Sequence, residues 1–245
     1  MLRAVRFASL LSFAIEPGTA EAIRRNAAKI VNVSAERIGQ EWNRMLADAG
    51  RARGFRLAHE TGLLETLWPQ RAPHAEAIAA RLDRLDAGAD AGAALACQLA
   101  DEGEAAVNAF CRSLAMDNRR RQQVAWLVAH GRDLLAGPLN VVSLKKRMAH
   151  ECWSRLVQLA GVLAAEPAQR EALAANIESA RRIPPDQVAP PPLLDGSDVM
   201  ALGMPQGPGI GRILAAVYDE QLAGTLTTRD QAIARARQLA SNDNP

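Results

Sequence analysis

The densest charged features of the sequence are two runs of basic side chains, Arg119, Arg120 and Arg121, and Lys145, Lys146 and Arg147. Guanidinium and ammonium groups bind phosphate oxygens, so either run fits the backbone of a nucleic acid. A solvated helix end is the alternative interpretation, because runs of like charge commonly face water.

Charge alternates along the 245-residue chain although its net charge is only +2. Residues 1–56 hold ten Lys and Arg against five Asp and Glu, and residues 118–182 hold eleven against five. Residues 57–117 hold four against ten, and residues 183–245 hold four against seven. Two basic regions thus alternate with two acidic ones, and both basic runs lie in the second basic region.

The familiar catalytic motifs are missing. The sequence contains no GxxxxGKS/T loop, no GxSxG elbow and no HExxH helix. The segment from Gly207 to Gly211 resembles a phosphate loop, but Pro208 has no amide hydrogen to donate, so we expect the start of a helix there. Asp83, Asp86 and Asp90 share a helical face, and we expect them to be solvated. We assign no catalytic residue.

Spacing also gives no support for a metal site or a disulfide framework. The histidines, His59, His74, His130 and His150, never lie four apart beside another ligand. Cys97, Cys111 and Cys152 match no CxxC or disulfide spacing, so we expect small buried thiols of a reducing compartment. No segment approaches the roughly 20 apolar residues that cross a bilayer. We therefore expect a cytoplasmic protein that does not contact a membrane.

Composition favours an all-α fold, because aromatic residues make up only 4% of the chain and alanine and leucine dominate. Ser34 is a predicted N-cap, and Ile38, Trp42, Met45 and Leu46 lie along one face of the helix that follows. Five prolines between Ile183 and Pro192 predict an extended connector without helix.

The N-terminal quarter resembles a known protein family. Three strings carry the resemblance: LRAVRFASLLSFAIEP from Leu2, VSAERIGQEW from Val33, and HETGLLETLWP from His59. They are similar to the neck of the bacterial class II tRNA nucleotidyltransferases, the family of CCA-adding enzymes and poly(A) polymerases. The string PPPLLDGSDVMALGMPQGPGIGRILAAVYDEQLAG, from Pro190 to Gly224, resembles the family's C-terminal block. Between them, AMDNRRRQQVAWLV from Ala115 fits more weakly.

The resemblance implies four segments in an elongated stack of helices. These are a neck over residues 1–69, a helical body over 70–182, a Pro-rich linker over 183–192 and a C-terminal helical tail over 193–245. In the family an α/β catalytic head precedes the neck and carries GGxVRD, DxD, RRD and EDxxR motifs, none of which occurs here. The head also supplies the ligands of the family's Mg²⁺ ions, so we expect this chain to bind no metal. Leu2, Val5 and Phe7 are expected to pack on that absent head and to be exposed without it.

Site residues follow from the same resemblance. The RAxRF motif carries its nucleotide-binding arginines over to Arg3 and Arg6, which would contact ATP or CTP. The SAERI motif makes Glu36 and Arg37 the residues that brace the nucleotide pocket. Body and tail would hold the acceptor stem and T arm of tRNA through the backbone, which suits the two basic runs.

The leading interpretation is the RNA-binding part of a tRNA nucleotidyltransferase, inactive alone, whose intact family adds CCA or poly(A) to RNA 3′ ends. One alternative is a free-standing tRNA-binding module without catalysis. Another is a helical scaffold that partners a separately encoded catalytic head. Binding that weakens steeply with salt would favour an RNA-binding protein over the scaffold.

Overall fold

The computed structural model describes residues 1–243, and all regular secondary structure in that range is helical, which confirms the predicted all-α class. The α-helices are α1 (Leu2–Leu10), α2 (Pro17–Asn26), α3 (Ala35–Leu46), α4 (Arg51–Glu60), α5 (Leu63–Leu67), α6 (Ala75–Arg84), α7 (Ala91–Gln98), α8 (Glu104–Ser113), α9 (Asn118–His130), α10 (Val141–Met148), α11 (Trp153–Leu163), α12 (Pro167–Arg181), α13 (Pro185–Val188), α14 (Gly196–Ala201), α15 (Pro208–Ala223) and α16 (Arg229–Asp243). Three 3₁₀ segments cover Ala27–Asn32, Pro69–His74 and Asp133–Leu135.

The chain divides into two compact units. The first comprises residues 1–137 and 154–173, and the second comprises residues 138–153 together with the chain from 174 onward. This division differs from the four segments that the resemblance implies, because it groups α10 with the C-terminal helices.

Helix α3 presents the apolar face that its spacing predicts. Ile38, Trp42, Met45 and Leu46 are all buried. Ser34 occupies the N-cap position in an extended conformation, but its side chain makes no capping hydrogen bond. The apolar face therefore anchors this helix without help from the predicted cap.

Aromatic rings fill the centre of the first unit. The Trp42 ring centroid lies 5.8 Å from that of Phe55 and 4.7 Å from that of Trp68. Trp68 in turn packs 4.8 Å from Phe110. Tilted and edge-on contacts of this kind add to the stabilisation from apolar burial. The cluster joins α3 and α4 to α8.

Helix α1 packs on this same unit through α3 and α4. Leu2 is 6% exposed and Val5 is fully buried, so the expectation that both would be exposed is wrong. Their apolar surface is covered by helices of this chain, which hydrophobic spacing alone could not reveal. Phe7 is 38% exposed, and Leu10, Leu11 and Phe13 are also exposed.

The second unit has its own apolar core. Leu194, Val199, Ile213 and Val217 belong to a buried cluster that also includes residues of α16. Helix α15 begins at Pro208, which confirms the helix start predicted there.

The Pro-rich segment contains a short helix, so the expectation that its prolines exclude helix is wrong for four residues. Pro185 occupies the first turn of α13, where its missing N–H is not needed. The residues that follow are held against α15: the Tyr218 hydroxyl donates to Pro190 O at 3.0 Å, and Gln221 Nε2 donates to Pro191 O at 2.8 Å.

The three cysteines are free and buried, as expected. Burial raises the pKa of the Cys97 and Cys111 thiols to about 11, so both stay protonated near neutral pH. Within residues 1–243, none of the helices combines the length and hydrophobicity needed to cross a bilayer.

Candidate functional site

A cleft of about 190 Å³ opens beside the N-terminal end of α1. Helix α1, the Ala27–Asn32 turn and α3 form its walls. We call it the N-terminal cleft, and its lining residues are Met1, Leu2, Arg3, Ile30, Val33, Arg37, Ile38, Gln40 and Glu41. Two of the four predicted pocket residues, Arg3 and Arg37, therefore face one cavity.

Arg3 and Arg6 project from one side of α1, as their three-residue separation requires. Arg3 is exposed, with its guanidinium carbon 5.4 Å from the centroid of the Phe7 ring. The Arg6 side chain is only 12% exposed, and its guanidinium carbon lies 4.3 Å from the same centroid. Phe7 thus packs against both cations, a contact that restricts their motion.

Glu41 is the site residue that the sequence analysis missed. Arg6 Nε donates to Glu41 Oε2 at 2.7 Å, and Arg44 Nη1 lies 3.6 Å from Glu41 Oε1. A charge-assisted bond of this length, largely shielded from solvent, fixes Arg6 against α3. Arg6 does not line the cleft, so Arg3 and Arg37 are its basic lining residues, with the Glu41 carboxylate beside them.

The two predicted bracing residues occupy different positions. Glu36 and Arg37 both lie exposed in the first turn of α3. Arg37 lines the N-terminal cleft, whereas Glu36 does not. The carboxylate that connects α1 to α3 at this cleft is that of Glu41, one and a half turns further along the helix.

The Arg119 to Arg121 run begins α9. Asp117 caps this helix by accepting a hydrogen bond from Arg120 N at 2.9 Å. Arg119 and Arg120 are exposed, and Arg121 Nη2 donates to Asn118 Oδ1 at 2.5 Å. The side chains of the run therefore reach solvent, where phosphate groups could contact them.

The Lys145 to Arg147 run lies on α10 and is not uniformly accessible. Lys145 is 9% exposed, and its ammonium donates to Leu222 O at 2.8 Å, near the C-terminal end of α15. A cation is favourable there because helix C-termini carry partial negative charge. Lys146 Nζ pairs with Asp219 Oδ1 at 2.5 Å, and Arg147 is half-buried. Burial corrects the prediction for Lys145, which contacts protein and is not available to RNA.

Asp83, Asp86 and Asp90 are exposed, as predicted, but they do not share one helix, because α6 ends at Arg84 and α7 begins at Ala91. Each also makes a contact within the protein. Asp83 pairs with Arg56 at 2.7 Å, Asp86 accepts from Gly88 N at 3.0 Å, and Asp90 caps α7. Among residues 1–243, no group of three or more acidic, histidine or cysteine side chains could hold a metal ion.

Comparison with known proteins finds its strongest sequence similarity near the N-terminus. A family profile described as the "Probable RNA and SrmB- binding site of polymerase A" matches residues 12–74. The CCA-adding enzyme of Lacticaseibacillus paracasei is 44% identical over 78 residues, which are 32% of this chain and 19% of that enzyme.

Other similarities extend along the whole chain. The CCA-adding enzyme of Lactobacillus johnsonii is 28% identical over 236 residues, which cover 95% of this chain and 57% of that enzyme. A solved structure of the Bacillus stearothermophilus CCA-adding enzyme in complex with CTP superposes with a TM-score of 0.67 at 24% identity. That superposition covers 99% of this chain and 62% of the solved chain. The chain thus spans about three fifths of the length of these relatives.

Proposed function

Because this chain is related to the helical region of the class II tRNA nucleotidyltransferases, we propose that it holds RNA and forms one wall of their nucleotide pocket. The RNA is a tRNA, bound along its acceptor stem and T arm, and the reaction adds CCA to its 3′ end. Poly(A) addition is the other reaction of the family. The three buried thiols suit a cytoplasmic protein.

The observation that carries the proposal is the meeting of Arg3 and Arg37 at the N-terminal cleft. Two guanidinium groups beside a cavity of about 190 Å³ suit the phosphates of ATP or CTP. Arg6 supports the same wall through its bond to Glu41. Because Glu41 offsets the charge of the half-buried Arg6, phosphate binding falls to its exposed neighbour Arg3.

The proposal assigns no catalysis to the chain on its own. Two-metal nucleotidyl transfer needs carboxylates that hold the metal ions and align the attacking hydroxyl. We assign that role, and the Mg²⁺, to the catalytic head that the resemblance implies. That head could be joined to this chain or be a separate partner.

The RNA-binding role falls to the members of the basic runs that are exposed or half-buried. Arg119, Arg120 and Arg121 reach solvent from one helix end, and Lys146 and Arg147 are the remaining candidates on α10. Phosphate contacts of this kind position an RNA without reading its sequence.

We expect Arg3→Ala to raise KM for CTP and ATP about tenfold, since a charge-assisted bond to phosphate contributes about 1.5 kcal/mol or more. The assay uses a protein in which a relative's catalytic head is joined in front of Met1, with a tRNA lacking its CCA end as acceptor. The chain without the head is the control that should transfer no nucleotide.

Arg84→Ala is the matched control, because Arg84 is also an exposed helical arginine and lies on α6, away from the residues that line the cleft. Its KM values should equal those of the unmodified protein. If Arg3→Ala left both KM values unchanged, the N-terminal cleft would not be the nucleotide pocket.

A further inference from the structure

A second cleft, of about 200 Å³, lies in the first unit and shares no lining residue with the N-terminal cleft. Helices α3, α7, α9 and α11 contribute to it. Its chemically distinctive lining residues are Asn43, Leu95, Met116, Arg120, Gln123 and Val124, and we call it the Arg120 cleft.

Arg120 carries a positive charge at this cleft that is only partly offset, by an exposed ion pair with Asp117. The Arg120 side chain is 70% exposed, and its Nε lies 3.5 Å from Asp117 Oδ2, which is too far for a strong hydrogen bond. Arg155 also lines the cleft, but its Nε and Nη2 lie 2.7 and 2.6 Å from Asp90 Oδ2. Asp90 thereby neutralises Arg155. The remaining charge of Arg120 favours an anionic ligand.

Two side-chain amides line the same cavity. Asn43 and Gln123 are half-buried, and their amide groups form no hydrogen bond with the described residues. An amide offers both donors and an acceptor, which is the pattern that pairs with the edge of a nucleobase. Half-buried amides without protein partners are therefore suited to a polar ligand.

The rest of the wall is apolar. Leu95 and Val124 are buried, and Met116 is half-buried beside them. Apolar and thioether groups pack well against the face of an aromatic ring. A volume of about 200 Å³ is below the range of about 300–1,000 Å³ typical of drug-sized ligands. The cleft has space for one base-sized group.

From the charge, the amides and the apolar wall together, we infer that the Arg120 cleft binds one unpaired nucleotide unit. Its phosphate lies at Arg120, its base edge meets Gln123 or Asn43, and its base face packs on Met116 and Val124. The inference rests on the proposed RNA-binding function, and bound RNA is the expected source of the nucleotide. A free nucleoside monophosphate offers the same chemistry and is distinguished by experiment.

The test compares Arg120→Ala and Gln123→Ala for binding of fluorescently labelled tRNA by anisotropy at several salt concentrations. Arg120→Ala should weaken binding about tenfold and make the slope of log K against log salt shallower by about 0.7–0.9. Gln123→Ala should weaken binding about threefold or more without changing that slope, because it removes a neutral hydrogen bond. Arg112→Ala is the control, since Arg112 is an exposed arginine on α8 that does not line the cleft.

A Gln123→Ala variant that binds tRNA like the unmodified chain would overturn the inference while leaving RNA binding intact. An Arg120→Ala variant that binds tRNA as tightly as the unmodified chain would also overturn the inference. If the unmodified chain bound no tRNA, the proposed function would fail, and calorimetric titration with CMP and AMP would then decide the cleft. Saturable binding of CMP or AMP that Gln123→Ala weakens would support a free-nucleotide site in this cleft. If neither nucleotide bound, the inference of a nucleotide site would be overturned.

Discussion

Replacing Arg51 with methionine is expected to lower the free energy of unfolding by at least about 3 kcal/mol. Arg51 is 1% exposed and lies at the start of α4. Its guanidinium donates to five backbone carbonyls: Leu46 O at 2.9 Å, Leu85 O at 3.4 Å, Asp86 O at 2.8 Å, Ala87 O at 3.0 Å and Ala89 O at 3.0 Å.

The expected loss of stability follows from the backbone carbonyls that methionine leaves without the guanidinium donor. Four of these carbonyls lie in the turn after α6, beyond the hydrogen bonds of that helix. Asp86 O also accepts from Ala89 N at 2.9 Å, so the loss falls mainly on the other carbonyls. Each buried carbonyl left without a donor costs about 1–3 kcal/mol. Burial lowers the pKa of Arg51, but an arginine stays protonated in proteins, so the native contacts include its full charge.

Arg84→Met provides the control, because Arg84 is exposed on α6 and should change stability by less than about 0.5 kcal/mol. Arg51→Lys should fall between the two, since lysine keeps the charge but cannot form the planar five-donor fork. Urea denaturation followed by tryptophan fluorescence measures all three. Equal midpoints for Arg51→Met and Arg84→Met would show that the carbonyl contacts contribute nothing to stability.

The second large effect is expected at Gly39, where alanine should destabilise the chain by about 1–3 kcal/mol. Gly39 lies within α3, and a Cβ built on it would be 2.2 Å from Leu114 O. A backbone carbonyl cannot rotate away as a flexible side chain can, so α3 and the end of α8 must separate. The gain in helix propensity of up to about 1 kcal/mol offsets only part of this cost.

Gly161→Ala is the matched control, because it makes the same change within another helix, α11. No atom lies within 4 Å of the added Cβ there, and the residue is exposed. Alanine should therefore stabilise the chain by about 0.5–1 kcal/mol through helix propensity. The two substitutions should shift the urea midpoint in opposite directions. Shifts of the same sign would contradict the close approach at Gly39.

Helix positions were the part of the fold most accessible from sequence. The sequence predicts a helix from Arg51 to Glu60 that Gly62 ends, and α4 has these bounds, followed by Gly62 in the left-handed conformation at φ 73°. The sequence also predicts a helical stretch after Pro17 and Thr19 that reaches about Ile30, whereas α2 ends at Asn26 and a 3₁₀ segment follows. Helix α5 was not predicted, because five residues give too little periodicity to detect.

Burial of individual cations was not accessible from sequence. Arg51 stands in RARGFR beside two other arginines, and Lys145 stands in a basic run, so neither differs locally from its solvated neighbours. Apart from Leu46 O, five residues before Arg51, their partners are backbone carbonyls 34 to 77 residues away along the chain. Such contacts depend on tertiary packing, which local pattern does not encode.

The candidate site was predictable only in part, for the same reason. The RAxRF resemblance located Arg3 and Arg6 on one helix face, and the SAERI resemblance located Arg37 on the helix opposite. Nothing local identified Glu41 as the partner of Arg6, because that pair is separated by 35 residues. The resemblance identified the region of the candidate site, and the structure identified which side chains pair with each other there.

The measurement that tests the central claim most directly is tRNA binding by this chain as a function of salt. A tRNA lacking its CCA end is titrated with the chain between about 50 and 200 mM salt. If the chain binds RNA through several phosphates, log K should fall linearly with log salt, with a slope steeper than about −2. Absence of saturable binding at the lowest salt, or a flat response, would contradict the RNA-binding function and favour a protein scaffold.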